Sequence, residues 1–267
     1  MHSQIIRPAA VAGSFYPGSA TTLGSQVSAM LAAAAGFSGS PKALIAPHAG
    51  YVYSGPTAAC AYAALRNSAA AIRRVVIFGP AHRVWVAGLA ATPATAFATP
   101  FGSVPVDQKA IAEVMQLPQV TFDESAHAQE HSIEVQLPFL QTVLSDFALV
   151  PFVVGGATPA EVAEVMDVLW GGPETLIVVS SDLSHFLSYG DARQIDRATA
   201  DSILETRPLS RHEQACGATP INGLLLVARR RNLAPMLLDL RNSGDTAGDR
   251  DRVVGYGAFA FLEHNHV

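Results

Sequence analysis

Short apolar runs punctuate the chain at "KALIA" (42–46), "RVVIFG" (74–79), "ALVPFVV" (148–154), "TLIVVSS" (175–181), "PMLLDL" (235–240) and "VVGYGAFAF" (253–261). Several are apolar throughout rather than alternating, as strands buried on both faces of a sheet must be. Alanine-rich stretches with helical spacing lie between them, over 20–35, 56–68, 107–116, 132–144, 158–170, 191–206 and 220–231. Strands alternating with helices predict an α/β fold of three layers, α/β/α, around a central mainly parallel or mixed sheet. No linker, repeat or low-complexity block divides the chain, so 1–267 reads as a single domain.

The pattern is clearest at 132–144. Ile133, Leu137, Leu140 and Leu144 form one apolar stripe, Ser132 is placed to cap the first turn, and Pro138 predicts a kink. The segment 80–106 is rich in Ala, Thr, Pro and Gly and reads as an excursion or hairpin at the sheet edge.

Composition narrows the function. About half of the 267 residues are hydrophobic and 15% are charged, enough apolar content for a large core without disulfides or structural metal. The net charge of −5 argues against nucleic acid and anionic membrane as partners. The one basic cluster, Arg229-Arg230-Arg231, falls near a predicted helix end, where it complements the helix dipole. Cys60 and Cys216 form no CxxC pair, and no run approaches the ~20 apolar residues of a membrane span. With no apolar core of a signal peptide at the start, a cytoplasmic location is expected.

The chemistry gathers just past the apolar runs, where open α/β sheets bind ligands. His48 follows the first run in "PHAGY", His82 the second in "GPAH", and Asp182 and His185 the fourth in "SSDLSH". Asp245 closes "RNSGD" after the fifth, and "AHAQEHSIE" adds His127, Glu130, His131 and Glu134. A lone histidine at a strand end is usually a hydrogen-bonded structural residue, but several on one rim predict a shared site. Two imidazoles and a carboxylate are the ligand set of non-haem Fe(II) centres, and the same set suits catalytic zinc. His48 and His82, in rigid turns, are the expected metal ligands, with Asp245 as the third and Asp182 and Glu130 competing for that place. His185, near Asp182, is the expected acid/base. The serines of "SSDLSH" lack a recognisable oxyanion loop, and GxGxxG, Walker A, GxSxG and HExxH are absent. Cys216, at a helix start, reads as a packed thiol or a reactive one, the first being commoner, and Cys60 as core. His2, His212, His264 and His266 have no comparable setting.

Taken in order, "RPAAVAGSFYPG", "APHAGYVYSG", "FGPAH", "EHSIEVQLPFLQ", "SSDLSH" and "SGDTAGD…VVGYGA" resemble the Memo family over essentially the whole chain. This is the group named for a mediator of ErbB2-driven cell motility and known in bacteria as AmmeMemoRadiSam system protein B. The resemblance implies a fold similar to the class III extradiol dioxygenases, with metal ligands at His48 and His82 and an acid/base histidine at His185. Asp182 and His131 match positions lining that pocket. Animal members place a cysteine as third ligand before the final strand. Here "SGDTAGD" has none, leaving Asp245, or Thr246 beside it, at the matching place.

Three functions compete. The first is a non-haem-iron oxidoreductase of dioxygenase type, binding a divalent metal, Fe(II) before Zn or Cu. The second is a scaffold whose vestigial pocket holds a peptide or metabolite. The third is a metal-dependent hydrolase. A small-molecule or peptide substrate is expected in each, and the resemblance adds an expected link to a radical-SAM protein.

Overall fold

Each apolar run forms a strand. A computed structural model describes residues 5–210 and 212–263. Its strands are β1 (Ile6–Arg7), β2 (Pro41–Ala46), β3 (Arg74–Pro80), β4 (Leu89–Ala91), β5 (Ala96–Thr99), β6 (Gly102–Pro105), β7 (Val120–Phe122), β8 (Ala148–Val154), β9 (Thr175–Ser180), β10 (His185–Leu187), β11 (Ala234–Asn242) and β12 (Val253–Leu262). The helices are α1 (Ala20–Ala33), α2 (Tyr51–Ala63), α3 (Gln108–Val114), α4 (Glu124–Ala128), α5 (Leu137–Val143), α6 (Pro159–Val168), α7 (Tyr189–Leu204) and α8 (Ala218–Arg231).

The central strands β2, β9, β3 and β8 run parallel, and every residue of β2 and β9 is buried. That double burial is why their sequences do not alternate. β12 adds antiparallel to β2 and carries β11 and β10, while β4 and β7 extend the other edge to complete a nine-stranded mixed sheet. Helices α1, α2 and α5 pack together, with α2 on β2, β11 and β12. Helices α6 and α8 pack together, α8 on β3 and β9, and α3 lies on β8 and α6. The result is the expected three-layer α/β arrangement, with one contiguous apolar cluster at its centre. Among the described residues, no helix is long and apolar enough to cross a membrane.

Three local expectations change. The excursion 80–106 divides: β4 joins the main sheet, whereas the β5–β6 hairpin pairs with β1 in a separate three-stranded sheet. Pro138 makes no kink. It sits in the first turn of α5, behind a 3-10 turn at Glu134–Gln136, where its missing N–H leaves nothing unpaired. Ser132 is not a cap; its hydroxyl donates instead to the Pro80 carbonyl, 3.0 Å away, and ties that turn to the end of β3.

Candidate metal centre

Strands β2, β3 and β9 end nearly level, with Ala46 opposite Ser180 and Phe78 opposite Val179. His48, His82 and Asp182 each stand two residues beyond their strand, so parallel pairing delivers all three to one rim. His131 arrives from the loop ahead of α5. Ring centroids lie 5.1 Å apart for His48 and His82, 5.4 Å for His48 and His131, and 4.7 Å for His82 and His131. One nitrogen from each ring lies within 4.8 Å of the other two. Two imidazole nitrogens on one tetrahedral metal stand about 3.4 Å apart, so small side-chain shifts would close the group on an ion.

Hydrogen bonds decide which nitrogen of each ring is available. Ser180 Oγ spends its single proton on the Ser132 carbonyl, 2.5 Å away, and accepts from Gln136 Nε2 at 2.8 Å. His48 Nδ1, 2.8 Å from the same oxygen, must therefore be the donor, which leaves the Nε2 lone pair open to the pocket. The backbone N–H of His48 donates to Asp182 Oδ1 at 2.7 Å, fixing the turn that carries the ring. Glu130 Oε1, 3.0 Å from His82 Nδ1, selects Nε2 of that ring in the same way, and also accepts the N–H groups of His131 and Ser132. His131 Nδ1 lies 3.3 Å from Glu130 Oε1 but is misaligned, so it is a buried nitrogen with no hydrogen-bond partner. An orphaned buried nitrogen on one of three clustered imidazoles suits a metal ligand.

Burial keeps two of these imidazoles, His48 and His131, in binding form. Burial, followed by the neighbouring His82, His131 and His185, holds the His48 pKa well below its ordinary value. Burial lowers His131 to about 4 and also lowers His185. Neutral imidazole is the form that ligates metals. Burial alone would raise Glu130, but its bonds from His82 and Ser132 outweigh that and hold it at about 2. Asp182 is pushed up to about 7 by burial, against the N–H groups of His48 and Ala49.

Not every expected residue joins this group. Asp245 is engaged elsewhere: its Oδ2 accepts the Asn242 N–H at 3.0 Å and its Oδ1 the Tyr189 hydroxyl at 2.5 Å, at the edge of a different cavity. Thr246 beside it donates to the Ser243 carbonyl. His185 is half-buried on β10, opposite Val254, and lines a cavity with Ile195, Glu213 and Gln214. Glu134 is structural. It pairs with buried Arg7 and accepts from Tyr16 and the N–H groups of Ala10 and Val11. His127 is also structural, donating through Nε2 to the Ala90 carbonyl. His2, His264, His266 and the side chain of His212 lie outside the described residues.

Cys216 holds the one position that the sequence undervalued. Its Sγ is 3.2 Å from His48 Nε2, the nitrogen left open by the network above. Burial, followed by the charge of Asp182, pushes its thiol up to about 12. The available signal was its place between a turn and a helix start, the setting in which chains present side chains to a site. Cys60, by contrast, donates within α2 to the Pro56 carbonyl.

Two cavities flank the centre. One of about 440 Å³ is lined by His82, Cys216, Arg83 and Trp85, the last 80% exposed. The other, about 410 Å³, is lined by His131, Asp182, Phe15, Tyr53, Arg252 and Tyr256.

Comparison with known proteins adds the lineage. The family model described as Memo-like protein matches residues 7–260. A MEMO1 family protein of Ignicoccus hospitalis is 34% identical over 96% of this chain and 99% of its own. Relatives under the same name in Methanosarcina mazei and Aquifex aeolicus are 34% and 32% identical, over 95% and 96% of this chain and 98% and 99% of theirs. An uncharacterized protein of Escherichia coli K12 with a crystal structure aligns over 80% of this chain and 98% of its own, with a TM-score of 0.45 and 12% identity. That likeness is too distant to bear on chemistry.

Proposed function

The chain belongs to the Memo-like protein family, and on that premise we propose that it is a metal-dependent oxidoreductase of non-haem-iron, dioxygenase-like type. His48, His82 and His131 hold one divalent metal in this reading, with Fe(II) as the working ion. The observation that carries it is the set of three imidazole nitrogens within 4.8 Å of one another at the strand ends. Three nitrogens leave coordination positions open, and iron bound there supplies a Lewis acid and an O₂-binding redox centre.

The chain's own residues do the remaining work. Asp182 holds the His48 turn, and Glu130 holds His82 and the backbone of His131. His185, which lines a separate cavity but lies within electrostatic reach of His82 and is kept neutral by burial, takes the proton of an acidic substrate hydroxyl in this reading. Exposed Trp85 and Tyr53 at the two cavities offer aromatic surfaces beside Arg83 and Arg252, which suits an aromatic small molecule or peptide side chain carrying negative charge.

A second reading has a specific observation behind it. Three histidines are also the ligand set of catalytic zinc, with a bound water as nucleophile. The test is metal content after anaerobic purification, then oxygen uptake with catechols on the Fe(II) form and ester or amide hydrolysis on the Zn(II) form. About one Fe(II) per chain, with oxygen uptake that His82→Ala abolishes, is the expected result. Hydrolysis without oxygen uptake favours zinc, and metal binding without either turnover favours a binding protein. Failure to take up any metal removes the proposal.

A further inference from the structure

Three guanidiniums border one cavity between α7 and the end of β11. The space is about 490 Å³ and shares no lining residue with the two cavities that flank the imidazoles. Arg193 and Arg197 come from α7, four residues apart and so on one face of it, and Arg241 comes from β11, on which α7 packs. Two like charges at that helical spacing repel unless an anion stands between them.

The chain itself leaves these charges largely unanswered. Among the described residues, neither Arg193 nor Arg197 forms an ion pair. Arg241 gives its Nε to Asp239 at 2.7 Å. The two carboxylates on the cavity wall are engaged elsewhere. Asp245 accepts the Asn242 N–H and the Tyr189 hydroxyl. Asp196 is buried, with Oδ1 on the Ser184 N–H at 3.0 Å and Oδ2 against Gly255, where an added Cβ would stand 2.0 Å away. Gly190 brings the first turn of α7 to the cavity and has open space where a side chain would stand, so the positive end of a 16-residue helix is unobstructed there. Asp191, in the same turn, accepts the Ser188 hydroxyl and does not line the cavity. Tyr189 forms a wall, its ring centroid 5.7 Å from Arg193 Cζ and 4.4 Å from Arg250 Cζ, and Leu240 adds an apolar side.

We propose that this cavity binds a phosphorylated small molecule, its phosphate held by Arg193, Arg197 and Arg241 at the start of α7 and its remainder against Tyr189 and Leu240. A phosphate monoester offers three terminal oxygens to three guanidinium forks, where a carboxylate offers two. The volume suits a ligand of metabolite size. The inference stands apart from the metal-centre reading, because none of the three arginines lines either cavity there.

The test is isothermal titration of the full, chelator-treated chain with inorganic phosphate, pyrophosphate and succinate. A single saturable site that takes the phosphates more tightly than succinate is the expected result. Arg193→Gln and Arg197→Gln should each weaken it about tenfold or more, the loss of a charge-assisted hydrogen bond. Arg229→Gln, an equal change of charge in the exposed cluster ending α8, should leave it unchanged. A cooperative melt of each variant keeps loss of fold from passing as loss of binding. In the unmodified chain, pyrophosphate should slow hydrogen exchange in peptides covering 189–197 and 240–245. Protection confined to other segments overturns the proposal, whatever the variants do. Equal weakening in Arg229→Gln reduces the binding to a net-charge effect and overturns it as well. Succinate bound as tightly as the phosphates, unchanged binding in both α7 variants, or no saturable binding of any probe has the same consequence.

Discussion

Glu130 holds His82 at two points: Oε2 accepts the backbone N–H at 2.7 Å, and Oε1 lies 3.0 Å from ring Nδ1. One buried carboxylate therefore sets both where the ring stands and which of its nitrogens faces the cavity. A carboxylate behind a ligating histidine is a common way to orient it and raise its basicity. Glu130→Gln replaces one acceptor oxygen by a donor NH₂ that faces N–H groups. Metal affinity should fall about 10–100-fold in chelator competition, and stability by about 1–3 kcal/mol in denaturant titration for the orphaned groups. Unchanged affinity with reduced stability would leave Glu130 a purely structural role.

The third nitrogen can be separated from the carboxylate that the sequence favoured. His131→Ala should abolish stoichiometric metal uptake, since His131 supplies one corner of the group. Asp245→Asn should leave metal content unchanged, because its carboxylate serves Asn242 and Tyr189. Metal analysis of the two purified variants, each checked for a cooperative melt, decides this. Metal lost in the Asp245 variant and retained in the His131 variant would reverse the assignment.

Arg7 and Glu134 form a buried ion pair that ties the first strand to the loop carrying Glu130 and His131. Arg7 also donates to the carbonyls of His127 and Glu130, at 2.9 and 2.6 Å. Arg7→Met strands a buried carboxylate and should cost about 3–5 kcal/mol. The double variant Arg7→Met, Glu134→Gln should recover part of that loss. Denaturant midpoints at constant slope are the measurement, and a loss below about 1 kcal/mol for Arg7→Met contradicts the assigned role.

Acid stability should include two opposed contributions from His127 and Asp196. Burial lowers the His127 pKa from 6.5 to about 4, so between those values the unfolded chain binds more protons. Stability from this group is full above pH 6.5 and is lost as pH falls toward 4, by roughly 3 kcal/mol at most. Asp196 runs the other way. Burial raises it from 3.8 to about 6, so its contribution is lost as pH rises through that window. Asp196→Asn removes only the second effect. In chelator-treated protein, stability between pH 4 and 6 should then climb more steeply with pH than in the unmodified chain. An equal or shallower climb refutes the assignment for Asp196.

The long strands and most helices were legible because each carries enough buried apolar residues to show a period. β2, β3, β8 and β9 appear within a residue of the apolar runs that announced them. The short strands β1, β4, β7 and β10 have two or three residues each, too few for any periodicity, and their pairing partners lie far along the chain. The alanine-rich spacing predicts a helix over 56–68, but α2 begins earlier, at Tyr51, whose N–H donates to the Phe15 carbonyl at 2.7 Å. That contact with a distant loop has no trace in the local sequence.

The chain's own pattern determined the sheet and the rim: apolar runs end where the strands end, and parallel pairing must then bring His48, His82 and Asp182 to one side. Tertiary structure alone decided which side chains gather into a group that could hold an ion. His131 stands with the other two rings while Asp245 caps its own turn, and the Cys216 sulfur reaches His48 across 168 positions of sequence. Spacing along a chain specifies which face a residue takes. Ligation depends on a few ångströms between segments brought together only by packing, and those distances are not written in any local pattern.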